Sequence, residues 1–404
     1  MAFVSGCGGD GEALGNTPIL VPTDVVVADI DGDGRADVTT LAMSMTGLHR
    51  EGRLSVYRQT VSGTFSVPEV YTVGIYPWRL HIADIDGDGL ADLVIADTDG
   101  RQVLWMRQDP AQPGRFEAPL VVASGMPSVL DVAVGDLNHD GAPDIAVAEC
   151  IDESRRVLVV YQDPSVRGTF LPPTTVPAPG PTCAVAVADM DGDGRDDLAG
   201  WFVTRDLTTS GSTITPGMGA LGVAWQLADG TMGPIDTLVS RENVNVERLA
   251  TVDYLGTGAI GLIAYLTPQT EGYPQIMIAL HDVGSRALTA FTGASLQGMR
   301  GTDDAAFADL DEDGRVDAVI AGFFPVGSPS SVESRANRLR QIGDGSLQLV
   351  GADSLPISAS RVAVGDLDGD GRTDIVLYGA DDQVVRMLQS PIVPGQFGAP
   401  LPLR

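Results

Sequence analysis

The sequence predicts an all-β fold, a seven-bladed β-propeller of four-stranded antiparallel blades. Three observations predict it. A nine-residue frame, Asp29-Ile-Asp-Gly-Asp-Gly-Arg-Ala-Asp37, recurs from Asp84, Asp136, Asp189, Asp309 and Asp366, with a worn copy from Asp253 to Gly261. Successive frames start 55, 52, 53, 64, 56 and 57 residues apart, and seven copies of one such unit define a repeat architecture. Short apolar runs with no helical periodicity flank each frame, and 49 Gly and 26 Pro suit many turns between short strands.

The four strands of a unit follow in order. The first leads into the frame, as in Val25–Ala28, Leu80–Ala83, Val132–Gly135, Val185–Ala188, Ala305–Ala308 and Val362–Gly365. Its last residue is small, which suits strands crowding a central axis. The second leaves the frame, as in Asp92-Leu-Val-Ile-Ala96 and Asp374-Ile-Val-Leu-Tyr378. The third alternates apolar and polar residues and ends in Gln59, Gln108, Gln162 or Gln389. The fourth opens with Gly-x-Phe, at Phe65, Phe116, Phe170 and Phe397. It carries a proline (Pro68, Pro119, Pro172, Pro400) that suits an exposed edge. Residues 21–404 therefore read as one ring, with 1–20 as a leader. Residues 397–403 supply the last blade with its own fourth strand, which leaves the manner of ring closure open.

The frame has the chemistry of a calcium loop. A hard cation takes six to eight oxygen ligands at roughly 2.3–2.6 Å. Positions 1, 3, 5 and 9 supply them from Asp29, Asp31, Asp33 and Asp37, and from Asp84, Asp86, Asp88 and Asp92. Asp136, Asn138, Asp140 and Asp144 follow, then Asp189, Asp191, Asp193 and Asp197. The last two sets are Asp309, Asp311, Asp313 and Asp317, and Asp366, Asp368, Asp370 and Asp374. Position 7 would add a backbone carbonyl from Arg35, Leu90, Ala142, Arg195, Arg315 or Arg372. An EF-hand would close with Glu at position 12. Here that place holds Thr40, Ile95, Val147, Gly200, Ile320 or Leu377, so the carboxylate at position 9 must close the site. About six Ca²⁺ are expected, with none in the worn frame, where Leu255, Thr257 and Gly261 replace ligands.

The net charge of −29 would repel nucleic acid and anionic membranes. Six divalent cations would offset about twelve of those charges. No apolar run approaches the roughly 18 residues of a transmembrane helix. Three cysteines make neither a disulfide framework nor a zinc site. Val4-Ser5-Gly6-Cys7 matches the end of a bacterial lipoprotein signal, with Cys7 the residue to be acylated, although only six residues precede it. Cys150 ends strand 2 of unit 3 and Cys183 begins strand 1 of unit 4, so strand direction puts both on the face opposite the metals. A disulfide or two buried thiols are the alternatives there.

Asp-x-Asp-Gly-Asp-Gly-x-x-Asp loops spaced a blade apart, alternating with Gly-x-Phe and proline-bearing strands, resemble FG-GAP/VCBS repeats from about residue 21 to 404. The resemblance implies the seven-bladed propeller of integrin α subunits and secreted bacterial proteins. It also implies structural calcium between strands 1 and 2, and partners on the opposite face.

No catalytic residue is assigned. The four histidines share no local metal or catalytic spacing, there is no Gly-x-Ser-x-Gly signature, and the paired carboxylates belong to the metal frames. Convergence of residues on the axis is left open. Two readings remain: a protein-binding or adhesion scaffold, and a lectin-like propeller that binds glycans between blades. Tyr76 and Trp78 have no counterpart in the other blades, which favours one asymmetric surface over repeated sugar pockets. Loops 2–3 and 4–1 lie opposite the metals and vary in length, as function-bearing loops do. Tyr76, Trp78, Arg205, Thr213, Tyr273 and Phe324 are the candidate contacts there. The expectation is a monomeric extracellular, cell-surface or periplasmic protein.

Overall fold

The structure, a computed structural model, describes residues 19–404 apart from 47–48, 151–154, 205–217, 243, 269–273, 282–285, 287, 296–299, 326–331 and 344. It is a seven-bladed propeller. Blade 1 holds β1 (Ile19–Ala28), β2 (Asp37–Thr46), β3 (His49–Tyr57) and β4 (Glu69–Thr72). Blade 2 holds β5 (Pro77–Ala83), β6 (Asp92–Asp97), β7 (Gln102–Met106) and β8 (Leu120–Ser124). Blade 3 holds β9 (Asp131–Gly135), β10 (Asp144–Ala148), β11 (Arg156–Val160) and β12 (Thr174–Pro177). Blade 4 holds β13 (Thr182–Ala188), β14 (Asp197–Thr204), β15 (Met218–Gln226) and β16 (Met232–Glu242). Blade 5 holds β17 (Val244–Val252), β18 (Gly261–Pro268), β19 (Gln275–His281) and β20 (Leu288–Ser295). Blade 6 holds β21 (Arg300–Ala308), β22 (Asp317–Pro325), β23 (Val332–Gln341) and β24 (Leu347–Ser354). Blade 7 holds β25 (Ala359–Gly365), β26 (Asp374–Gly379), β27 (Gln383–Met387) and β28 (Leu401–Pro402). Every sheet runs in sequence order and every pairing is antiparallel.

Burial explains the composition of each strand. Second strands are covered on both faces by neighbouring blades, so β6, β10 and β26 are buried at every position and read as continuous apolar runs. Outer strands such as β4 and β12 are largely exposed and tolerate polar residues and proline. Among the described residues there is no single core, and seven apolar clusters form, one at each blade–blade interface.

One of these clusters closes the ring. Val25, Val38 and Phe65 of blade 1 pack with Leu367, Val376 and Tyr378 of blade 7. The Arg386 guanidinium donates to Gly63 O at 2.9 Å, and Arg361 donates to Thr23 O. Each blade is complete within its own stretch of chain, so packing closes the ring without an exchanged strand. Ile19 and Leu20 extend β1 by pairing with Met45 and Ser44. The Gly-x-Phe segments differ from the sequence expectation. Each Phe makes an isolated bridge to the glutamine that ends strand 3, and the fourth strand begins further on.

Six inner strands carry a register shift just before one residue: Asp24, Arg79, Ala184, Arg248, Asp304 and Arg361. Asp131 is the matching residue of blade 3. The bulge adds local twist and turns these side chains toward the axis and the following blade. Three of the carboxylates cap backbone N–H groups of the next inner strand. Asp24 accepts from Leu80 N at 2.9 Å, Asp131 from Val185 N at 3.1 Å and Asp304 from Val362 N at 3.2 Å.

Arg248 of blade 5 then spans the axis. It donates to Asp304 of blade 6 at 2.8 and 3.0 Å and to Asp24 of blade 1 at 3.1 Å. Burial opposes the Asp304 charge, but Arg248 outweighs it and holds the carboxyl below its ordinary range. Removing one partner from such a buried group leaves an uncompensated charge, at a cost of about 3–5 kcal/mol. Arg248→Met should therefore lower the melting temperature clearly, whereas Arg241→Met, half-buried on the outer strand β16, should not. Thermal unfolding of the two variants checks this.

Candidate metal centres

Each frame forms the turn between strands 1 and 2, and its backbone is fixed by the first and last carboxylates. Position 1 accepts two loop N–H groups. Asp29 Oδ1 takes Asp33 N at 3.0 Å and Oδ2 takes Gly34 N at 2.8 Å, with Gly34 at φ +84°. Asp84, Asp136, Asp189, Asp309 and Asp366 repeat the pair. So does Asp253 of the worn frame, through Thr257 N at 2.9 Å and Gly258 N at 2.7 Å. The turn thus persists where the other ligands are gone.

Position 9 begins strand 2 and is buried. Asp37 Oδ2 takes Ile30 N at 3.1 Å, and Oδ1 takes Gln59 N at 2.7 Å. Asp92, Asp144, Asp197, Asp317 and Asp374 do the same with Gln108, Gln162, Gln226, Gln341 and Gln389. Burial pushes Asp37, Asp92, Asp197 and Asp317 up to about 6, and Asp144 and Asp374 up to about 7.

The recurring glutamine is visible in the sequence, but its task is not. Gln108 Nε2 donates to Ala91 O at 2.6 Å and to Ile30 O of the preceding blade at 2.8 Å, while its Oε1 accepts Gly114 N at 2.7 Å. Gln162 repeats all three contacts through Pro143 O, Ile85 O and Gly168 N. One side chain therefore ties a metal loop, the following turn and the neighbouring blade.

The loops bring acidic oxygens within 4.8 Å of one another in five groups: Asp29, Asp31 and Asp33; Asp84, Asp86 and Asp92; Asp189, Asp191 and Asp197; Asp309, Asp311 and Asp317; and Asp366, Asp368 and Asp374. Asp37, Asp88, Asp193, Asp313 and Asp370 lie outside those sets. The position 5 residues instead receive the N–H of position 7 (Arg35, Leu90, Ala142, Arg195, Arg315, Arg372) at 2.8–3.1 Å. The third loop offers Asp136, Asp144 and the Asn138 amide, whose oxygen takes Asp140 N at 2.9 Å.

The donor set fits a hard divalent cation. It consists of oxygens alone, and Asp31 Oδ1 and Asp311 Oδ1 are buried without a hydrogen-bond partner. Burial and the adjacent carboxylates Asp29 and Asp313 raise Asp31 and Asp311 above the ordinary range, as expected of groups whose charge awaits a counter-ion. Arginines supply part of it. Arg107 pairs with Asp86 and Asp88, Arg286 with Asp191 at 3.0 Å and Arg372 with Asp370 at 3.0 Å.

The opposite face holds the other candidates. Tyr76 and Trp78 meet edge to face at 5.6 Å, and the Arg361 guanidinium lies 5.2 Å from the Trp78 ring. Arg205, Thr213, Tyr273 and Cys7 fall outside the described residues. The Phe324 backbone pairs with Glu333 inside the β22–β23 hairpin, so it belongs to a strand where a loop was expected. Cys150 and Cys183 form a disulfide with Cα atoms 4.4 Å apart, joining blades 3 and 4. His81 lies on the inner strand β5, where burial lowers its pKa, and His139 is exposed in the third loop.

A family model for an FG-GAP-like repeat matches residues 44–95, 84–147 and 136–200. The first match begins in β2 and the other two at Asp84 and Asp136, the first residues of their loops, and each ends in the second strand of the following blade. Integrin alpha-PS2 of Drosophila melanogaster is 28% identical over 206 residues, which cover 43% of this chain and 14% of that relative.

Two outcomes follow for the loops. Asp368→Asn keeps an acceptor for Asp370 N but loses a charged ligand, so it should remove one calcium equivalent in metal analysis while the metal-free melting temperature holds. In chelator, the buried position 9 carboxyls favour the fold in their protonated form. That stabilisation is complete below pH of about 3.8 and fades as pH rises to about 7. The rise in melting temperature on adding calcium should therefore grow between pH 4 and 7; a flat or falling shift counts against the assignment.

Proposed function

We propose that this chain, a propeller that carries FG-GAP-like repeats, is a calcium-binding extracellular scaffold that binds a protein partner on the face opposite the metal loops. One observation carries the reading: the two faces are built differently. Loops on the metal side are short and locked by the same backbone hydrogen bonds in every blade. On the other side, β2–β3, β14–β15, β18–β19 and β22–β23 form tall hairpins, while β6–β7 and β26–β27 turn early. A uniform base with a varied rim is the arrangement expected of a binding scaffold.

Calcium would be held by the carboxylates of the six loops and would neutralise them when bound, fixing the turns that set blade spacing. The similarity to an integrin α chain supports an adhesive role, and the Cys150–Cys183 disulfide supports an oxidising, exported location. That bridge closes a 33-residue separation, a constraint worth about 3–4 kcal/mol in the chain-entropy account.

Shortening 205–217 and replacing Trp78 with Ala should each weaken binding to a cell-surface partner roughly tenfold or more, with calcium content and melting temperature unchanged. Surface plasmon resonance against partners enriched from cells checks this. Binding that survives both changes, yet is lost on substituting metal-side loop residues at constant stability, would place the interface on the wrong face.

A further inference from the structure

The loops with four ligand carboxylates carry arginines, and the loop with three does not. Arg35 pairs with Asp33 in the first loop, and Arg107 pairs with both Asp86 and Asp88 in the second. Arg195 and Arg286 pair with Asp193 and Asp191 of the fourth. Arg340 meets Asp311 of the sixth at 2.5 Å, and Arg372 meets Asp370 of the seventh at 3.0 Å. In the third loop Asn138 stands in place of an aspartate. Among the described residues no arginine pairs with Asp136, Asp140 or Asp144, and Arg167 donates there to the Gly141 carbonyl at 2.6 Å instead.

The guanidinium groups arrive by three routes. Arg35, Arg195 and Arg372 stand at position 7 of their own loops. Arg107 and Arg340 come just before the strand 3 glutamines Gln108 and Gln341. Trp225 holds that place in blade 4, and Arg286 of blade 5 lies 5.5 Å from its ring on the way to the loop. What recurs is a positive charge on the carboxylates, not a residue at one point of the repeat. In the sixth loop Arg340 takes Asp311 Oδ2 and leaves Oδ1 buried without a hydrogen-bond partner. One oxygen is held and the other is left for a cation.

We infer that these arginines are resident counter-ions that lower the calcium affinity of the loops and hold the four-carboxylate loops together when no metal is bound. The inference rests on the calcium reading of the loops and deepens it. A guanidinium that shares a carboxylate with a divalent cation repels it, by roughly tenfold in affinity at low ionic strength. Orienting the shared carboxylate acts the other way, but fixing one short side chain is worth only roughly threefold. Repulsion therefore wins. Without metal the sign reverses, because the same guanidinium offsets repulsion among the carboxylates. The third loop reaches the same balance with one carboxylate fewer.

Calcium titration of the full chain against a chromophoric chelator, with thermal unfolding in excess chelator beside it, tests this. Arg107→Met keeps an unbranched apolar stem and removes the charge. One calcium equivalent should then bind roughly tenfold more tightly, and the metal-free melting temperature should fall. Arg340→Met should do the same through the sixth loop. Asn138→Asp gives the third loop a fourth carboxylate with no arginine, so it should also tighten one equivalent and lower the metal-free melting temperature. Arg241→Met, at the opposite end of β16 from the loops, should leave the calcium isotherm unchanged. A calcium affinity that holds or falls in either arginine variant, or a metal-free melting temperature that rises, overturns the proposal while leaving calcium in the loops. An unsubstituted chain that binds no calcium overturns the calcium reading and this proposal with it.

Discussion

The buried carboxylate that opens each second strand is the interaction on which the rest depends. In blade 2, Asp92 holds Ile85 N with one oxygen and Gln108 N with the other. The first contact closes the loop, and the second fixes where strand 3 ends. Gln108 then reaches back to Ile30 O of blade 1. A charge buried without partners would be costly, so its hydrogen bonds are obligatory, and through them the loop, the sheet and the ring share one register. A metal held by the loop would thus be coupled to blade packing through the same side chain, and would act on the inter-blade interface without touching it.

At the axis the constraint is different. Inner strands have an unpaired edge, and seven such edges converge with their N–H groups toward one another. Asp24, Asp131 and Asp304 satisfy some of these groups across blade boundaries, and Arg248 neutralises two of the three carboxylates. Because blades 1 and 7 are each complete within their own stretch of chain, cohesion between them rests on the Val25–Tyr378 apolar cluster and on contacts such as Arg361 to Thr23. A ring closed this way depends on its centre more than one with a shared strand would. The charged residues on the axis therefore serve first as a closure device.

Much of this was legible in the sequence. The frame could be read because ligand chemistry dictates residue types at fixed spacing, and the period could be read because every unit repeats it. The axial set could not. Asp24, Arg79, Asp131, Ala184, Arg248, Asp304 and Arg361 share a place in the repeat but not a chemistry, and their relation exists only once seven inner strands face each other. The bulge before all of them but Asp131 also breaks the alternation that would have shown which way they point. The Gly-x-Phe signal, with the proline that follows it, reads as the opening of strand 4. In the fold, the phenylalanine makes one bridge to the glutamine and fills an inter-blade gap before the edge strand starts. The glutamine itself reads only as a mark of strand ends, since its partner in the preceding blade lies 77 or 78 residues away.

The fifth and third units show how a repeat accommodates difference. Asp253 alone preserves the fifth turn, because the turn needs only two acceptor oxygens at position 1, whereas a metal would need the rest. Backbone geometry and ligand chemistry are therefore separable, and a loop can lose one without losing the other. In the third unit the turn is kept and only its surroundings change. Asn138 replaces a carboxylate, Tyr161 replaces a covering arginine, and Met232 of the next blade replaces a phenylalanine. None of the three disturbs the Asp136 and Asp144 hydrogen bonds that hold the loop. Variation collects where the backbone network does not need the side chain, and there the surroundings of a loop can change while the ring remains intact.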